Sequence, residues 1–289
     1  HIFMRAIGWR KEAVQIDGSN EGSVGAGARD GIPARNITVS NCYFGPDEYG
    51  NPAPPVMVGS HTVPTTDMNY DNINVYNCIG DGVTLAGVWA LKWANSSVRD
   101  IVVKLSAPNS IPVGADISTA RHGIRLHAST KVNVDGCKVY HDPDWPESIG
   151  YSCNEVSNRC KVTNNYVEYS NIGLHVRSSE YVMFSGNSTW RTLSYGAISE
   201  FGSAVTFQNN VFQSANYKNI GSGSLRVGDG DSGSTVSSNV FLGNGVNDPA
   251  QYISIHPTSS NWYLFGNRGR GYSKVTDSAT VNGGNNSLT

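Results

Sequence analysis

Charge is what this sequence has least of. Asp, Glu, Lys and Arg make up 15% of its 289 residues, against about 25% in a typical soluble domain. The formal net charge is −2. That balance supplies neither a basic nucleic-acid face nor a polybasic membrane patch, so neither partner is expected. No apolar run approaches the roughly 18 residues that would span a bilayer as a helix. No stretch carries a sustained 3.6-residue apolar stripe, which excludes a helical fold. The five cysteines include no C-x-x-C pair, so zinc is not expected. No secretory signal opens the chain at His1.

Gly, Ser and Asn are abundant instead, with 32 glycines alone. They punctuate four copies of one unit between Arg121 and Phe207: RHGIRLHASTKVNVDGCKVY, YSCNEVSNRCKVTNNYVEY, NIGLHVRSSEYVMFSGNSTW and YGAISEFGSAVTFQNNVF. Each unit runs from a small residue through a short alternating strand, a polar corner and a second alternating strand. Aligned on Cys137, Asn165, Asn187 and Asn210, the spacings are 28, 22 and 23. A period of 20 to 30 residues means stacked coils. Apolar alternation at Val132 and Val134, Ile124 and Leu126, and Leu174 and Val176 means half-buried strands. The expected fold is all-β, a parallel β-helix of about nine coils over residues 1–270, with 271–289 as a cap or tail. Because HIFMRAIGW already reads as strand, earlier coils are expected to precede it.

Ladder residues follow at Cys42, Cys78, Cys137, Asn165, Asn187, Asn210, Asn239 and Asn267, while the third coil, with its first strand at GVTLAG, shows none. The three ladder cysteines read as buried thiols filling the core. Cys153 and Cys160, seven apart in one coil, are candidates for a disulfide.

These strand–corner–strand units resemble the right-handed parallel β-helices of the pectate-lyase-like superfamily. EAVQID, DGIPARNITVSNCYFGP, PPVMVGSHT and DNINVYNC look like the β-helix domain of bacteriophage tail-spike and appendage proteins and related secreted polysaccharide-degrading enzymes. The resemblance implies a homotrimer, an extracellular or virion (tail) location, and binding or cleavage of a surface polysaccharide. It carries Glu12, Asp17 and His61 over as site positions. It does not fix the chemistry, because hydrolases, lyases and binders share the scaffold.

Period two also names the outward side chains. One column reads His127, Glu155, Arg177, Glu200, Gly228 and His256. The next reads Arg125, Cys153, His175, Ile198, Arg226 and Ser254. With coils about 4.8 Å apart, Glu155 and Glu200 stand two rungs apart, around Arg177. Two carboxyls at roughly that separation suit an inverting glycosidase. Alternatively, Arg125, Arg177 and Arg226 neutralise a uronate carboxylate while His127 or His175 takes the neighbouring proton, giving β-elimination. Asp142, Asp144 and Trp145 in HDPDWPES lie beside this cluster, the Trp suited to a sugar face. Against both enzyme readings stands a salt-bridged ladder that only stabilises the stack, as in a glycan-binding module or a fibre shaft. No cofactor is expected. Calcium is left open at GDGDSG, through Asp229 and Asp231, without the repeated spacing of known calcium loops.

Overall fold

The computed structural model describes residues 5–6, 13–16, 34–46, 56–58, 70–83, 86–105, 121–143, 148–218, 223–243, 253–270 and 287–288. All of its regular elements are strands, and every strand pairing is parallel. They form three sheets, of 9, 9 and 11 strands. The first runs from Val14–Ile16 to Ile253–Ile255, the second from Arg35–Ser40 to Tyr263–Phe265. The third runs from Arg5–Ala6 to Ser287–Leu288. Each coil visits the first, second and third sheet in turn, and nine such coils stack among the described residues, as the repeat implies.

The corner between second and third sheets shows how the sequence makes the turn. Asn41, Asn77, Asp100, Gly136, Asn164, Gly186, Asn209, Ser238 and Gly266 occupy it, all at positive φ. Asn, Asp and Gly tolerate that left-handed backbone best. The next residue always points inward: Cys42, Cys78, Ile101, Cys137, then Asn165, Asn187, Asn210, Asn239 and Asn267. Ile101 therefore fills the third coil's ladder position, an aliphatic side chain where the reading looked for Cys or Asn. The asparagines satisfy peptide groups that the bend leaves without strand partners. Asn187 Oδ1 accepts from the Asn165 N–H at 3.0 Å, and Asn187 Nδ2 donates to Val162 O at 2.8 Å and to Asn210 Oδ1 at 3.0 Å. The thiols do this more weakly, Cys137 Sγ donating to Asp135 O at 3.4 Å.

A second ladder lines the corner between first and second sheets. The Trp93 N–H donates to Ser129 Oγ, Ser129 N–H to Ser157 Oγ, and Ser157 N–H to Ser179 Oγ. Further along, Asp231 takes the serine's place and accepts from the Gly202 N–H and from Ser199 Oγ. A Cβ at residue 202 would lie 2.7 Å from Asp231 Oδ1, so glycine is what admits the larger acid.

Between the corners the core holds stacked rings, Phe184 on Phe207 at 5.3 Å and Phe212 on Phe241 at 5.1 Å. Near the start of the first-sheet strands, Gly87, Gly123, Gly150, Gly173 and Gly196 face the third sheet's inner side chains. A Cβ at 150 would meet Val167 Cγ2 at 2.5 Å and Gly173 O at 2.6 Å. Here the sheets approach too closely for any side chain.

One strand boundary and one cysteine pairing differ from the expectation. Gly82 and Val83 end the strand Ile79–Val83 of the second coil, and the third coil's first strand is Ala86–Leu91. Cys153 and Cys160 are free thiols within one core, not a disulfide.

Candidate functional site

The core residues Val88 and Ala90, Ile124 and Leu126, Tyr151 and Cys153, and Leu174 and Val176 fix which residues each first-sheet strand presents outward, and the glycine near its start gives the count. Two residues on stand Trp89, Arg125, Ser152, His175 and Ile198, continued by Arg226 and Ser254. Two further on stand Leu91, His127, Asn154, Arg177 and Glu200. Most of the expected columns are present: Arg125, His175 and Arg226 in one, His127, Arg177 and Glu200 in the other. Two members are corrected. Cys153 pairs with Leu126 and Val176 and lies inside. Its outward place belongs to Ser152, and that of Glu155 to Asn154. Glu155 follows the strand, in the corner at φ 53, exposed, its N–H donating to Arg177 O. The one-residue slip arose because this strand's inward residues, Tyr151 and Cys153, do not look like core. Tyr151 is admitted by its hydroxyl, whose proton is shared between Cys137 O at 2.9 Å and Tyr166 O at 3.0 Å. Glu12, Asp17, His61, Asp144 and Trp145 lie outside the described residues.

At the centre His175 Nε2 stands 3.5 Å from Glu200 Oε2. Hydrogen bonding from His175, followed by the charges of His175, Arg177 and Arg226, outweighs burial and holds the Glu200 carboxyl below its ordinary range. Beside this pair Ser152 Oγ and His122 Nδ1 are 2.9 Å apart, both buried. Burial first, then Arg125 and the neighbouring histidines, pushes His122 well below the ordinary imidazole value. Burial and Arg125 bring His127 down to about 4. Both rings are neutral at neutral pH. The Arg125 guanidinium lies over the Trp89 ring, 4.8 Å from its centroid. It is itself lowered by burial and supported electrostatically by Glu155.

The face is short of hydrogen-bond partners. Among the described residues, Trp89 Nε1, Arg125 Nε, His127 Nδ1, Asn154 Oδ1 and His175 Nδ1 are buried with none. Trp89, His122, Ser152 and Asn154 were not singled out as site residues by sequence. The signal that finds all but His122 is the glycine column: residues at plus two and plus four from Gly87, Gly123 and Gly150 include each of them.

The GDGDSG segment divides its carboxylates. Asp229 lies 2.6 Å from His256 Nδ1 at the surface, whereas Asp231 is fully buried. Among the described residues no cluster of three His, Cys, Asp or Glu is arranged to hold a metal.

No curated protein matches this sequence significantly. Solved structures match as folds. The A-module of the Azotobacter vinelandii mannuronan C-5 epimerase AlgE6 superposes with a TM-score of 0.66 at 12% identity, over 88% of this chain and 63% of the module. The chain thus spans less than two thirds of that module's length. The Streptococcus pneumoniae surface protein and adhesin PfbA gives 0.56 at 13% identity, over 99% of this chain and 88% of the adhesin. A tailspike protein mutant of E. coli bacteriophage HK620, in complex with pentasaccharide, gives 0.51 at 11%, over 90% of this chain and 59% of the tailspike. The family described as right handed beta helix region matches residues 112–271, more than half of the sequence and the outward columns from Arg125 and His127 onward. With its nine parallel coils and that match, the chain belongs to the right-handed β-helix family.

Proposed function

We propose that the outer face of the first sheet binds an acidic polysaccharide of an extracellular or bacterial surface and depolymerises it by β-elimination. The observation that carries this reading is a cation surplus around one ionised carboxylate. Arg125, Arg177 and Arg226 share a face with Glu200, among buried nitrogens that have no partner among the described residues. An unpaired buried polar group costs about 1–3 kcal/mol, so a cluster of them on a charge-poor molecule suits the oxygens of an anionic ligand. Arginine forks match carboxylate geometry.

In the proposed reaction, Arg177 and Arg226 neutralise a uronate carboxylate and so acidify the carbon beside it. The His175–Glu200 pair takes that proton. The electron pair left on carbon forms the new double bond as the glycosidic oxygen departs. The pair returns its proton to that oxygen, so the products are an unsaturated uronate end and a free hydroxyl. Hydrolysis by paired acids is less well supported, because Asn154, which cannot exchange a proton, stands where the second acid was expected. Location at a cell or virion surface follows from such a substrate, and the homotrimer implied by the family resemblance is checked by sedimentation of the full chain.

The test is incubation with a panel of acidic and neutral bacterial polysaccharides, reading ultraviolet absorbance and product mass. Elimination gives absorbing products without added water, from acidic chains alone. Products carrying water, or binding without turnover, would overturn it. Deuterium uptake from heavy water without cleavage would keep the proton abstraction but replace elimination by epimerisation.

A further inference from the structure

Outside the third sheet lies a second concentration of side chains that the proposed reaction does not use. Tyr140, Glu168 and Trp190 occupy one outward column on successive coils. Tyr169 and Arg191 follow Glu168 and Trp190 into the next corner, both at positive φ. The rings of Tyr169 and Trp190 meet at 5.4 Å, tilted by 59°. The Arg191 guanidinium lies 4.4 Å from the Trp190 centroid and 5.6 Å from that of Tyr217, and donates to the Tyr169 hydroxyl at 3.1 Å. Two ring faces and the hydroxyl of a third ring therefore surround one cation. Among the described residues Arg191 pairs with no carboxylate. The rings stay partly open to solvent, Tyr217 most of all at 38%.

Stabilising the coil needs neither an unpaired charge nor three half-open rings, since the closed core already stacks these turns. We infer that Tyr169, Trp190, Arg191 and Tyr217 form an anchoring site for an acidic polysaccharide, separate from the reacting face. Aromatic faces stack on the C–H face of a sugar ring, and the guanidinium, held flat by the rings, takes the carboxylate. The occupant is chosen by charge: a lone cation between rings selects an acidic sugar over a neutral one. The inference rests on the proposed function for the polymer's identity but not for its chemistry. Two sites along one chain raise avidity without any new contact at the first.

The test is affinity electrophoresis of Trp190→Ala and Arg191→Gln, each also combined with His175→Ala, in gels containing a long acidic polysaccharide. Each anchoring substitution is expected to weaken retention about tenfold, the equivalent of ~1.4 kcal/mol, while turnover of short acidic oligosaccharides stays at the wild-type rate. Retention equal to wild type in both would overturn the inference. Arg191→Gln keeps its stem over the rings and carries the test if Trp190→Ala does not fold. The two readings fail separately. Arg191-dependent retention without turnover leaves the anchor and removes the lyase. Turnover with Arg191-independent retention does the reverse.

Discussion

Glu200 and Glu155 are both acids beside Arg177, yet one residue of register separates their roles. Glu200 lies in the column, beside His175, and its carboxyl is held low. Glu155 sits exposed in the corner. Glu200→Gln is expected to lower turnover at least ~100-fold, in the range of a lost general base, and Glu155→Gln less than about threefold. Initial rates on the cleaved polysaccharide check both. The depressed Glu200 carboxyl also sets a sign for stability. Its contribution is present above the unfolded-state value and disappears as pH falls through the lower folded value, so urea melts of wild type and Glu200→Gln should converge in strong acid.

Asp231 runs the other way. Burial raises it to about 7, against the hydrogen bonds from Gly202 and Ser199 that favour its ionised form. Folded protein then binds a proton that the unfolded chain has released, so this residue destabilises the fold increasingly from about pH 4 to about pH 7. At about 1.4 kcal/mol per unit, Asp231→Asn should match wild type near pH 3 and exceed it by a few kcal/mol at neutrality. Denaturant titrations at several pH values measure that divergence. A flat difference would mean that Asp231 is ionised in the fold.

Among the elements, the asparagine ladder carries more of the fold than its length suggests. Asn210 accepts from the Asn187 backbone and side chain and donates to Phe184 O and Asn239 Oδ1. Asn210→Ala leaves those groups buried and unpaired, at an expected cost of about 2–4 kcal/mol. The Cys137 side chain makes only weak sulfur hydrogen bonds, to Val98 O and Asp135 O, and its thiol is pushed up to about 12, chiefly by burial. Cys137→Ala should cost less than Asn210→Ala, by denaturant melts, and Cys137 should react with thiol reagents only on unfolding. The glycine column is less tolerant still: Gly150→Ala presses a methyl against Val167 and the Gly173 carbonyl, and backbone must shift.

For the molecule as a whole, sheet type, coil number and most of the outward columns were legible because a two-residue period states which side each residue faces. The slip at Ser152 and Asn154 came from a strand whose core residues are Tyr and Cys. Apolar character was the wrong ruler there, and the sterically forced glycine was the right one. Ile101 was missed for a related reason: the ladder position demands burial after a left-handed corner, not a particular side chain. The His122–Ser152 contact and the burial of Asp231 depend on side-chain direction across coils, which no single period encodes.

The most direct measurement is a crystal structure of His175→Ala with an acidic oligosaccharide bound. A sugar carboxylate is expected within hydrogen-bond reach of Arg177 and Arg226, with the ring over position 175. A sugar lying on another flank, with the first-sheet columns empty, would contradict the proposed function.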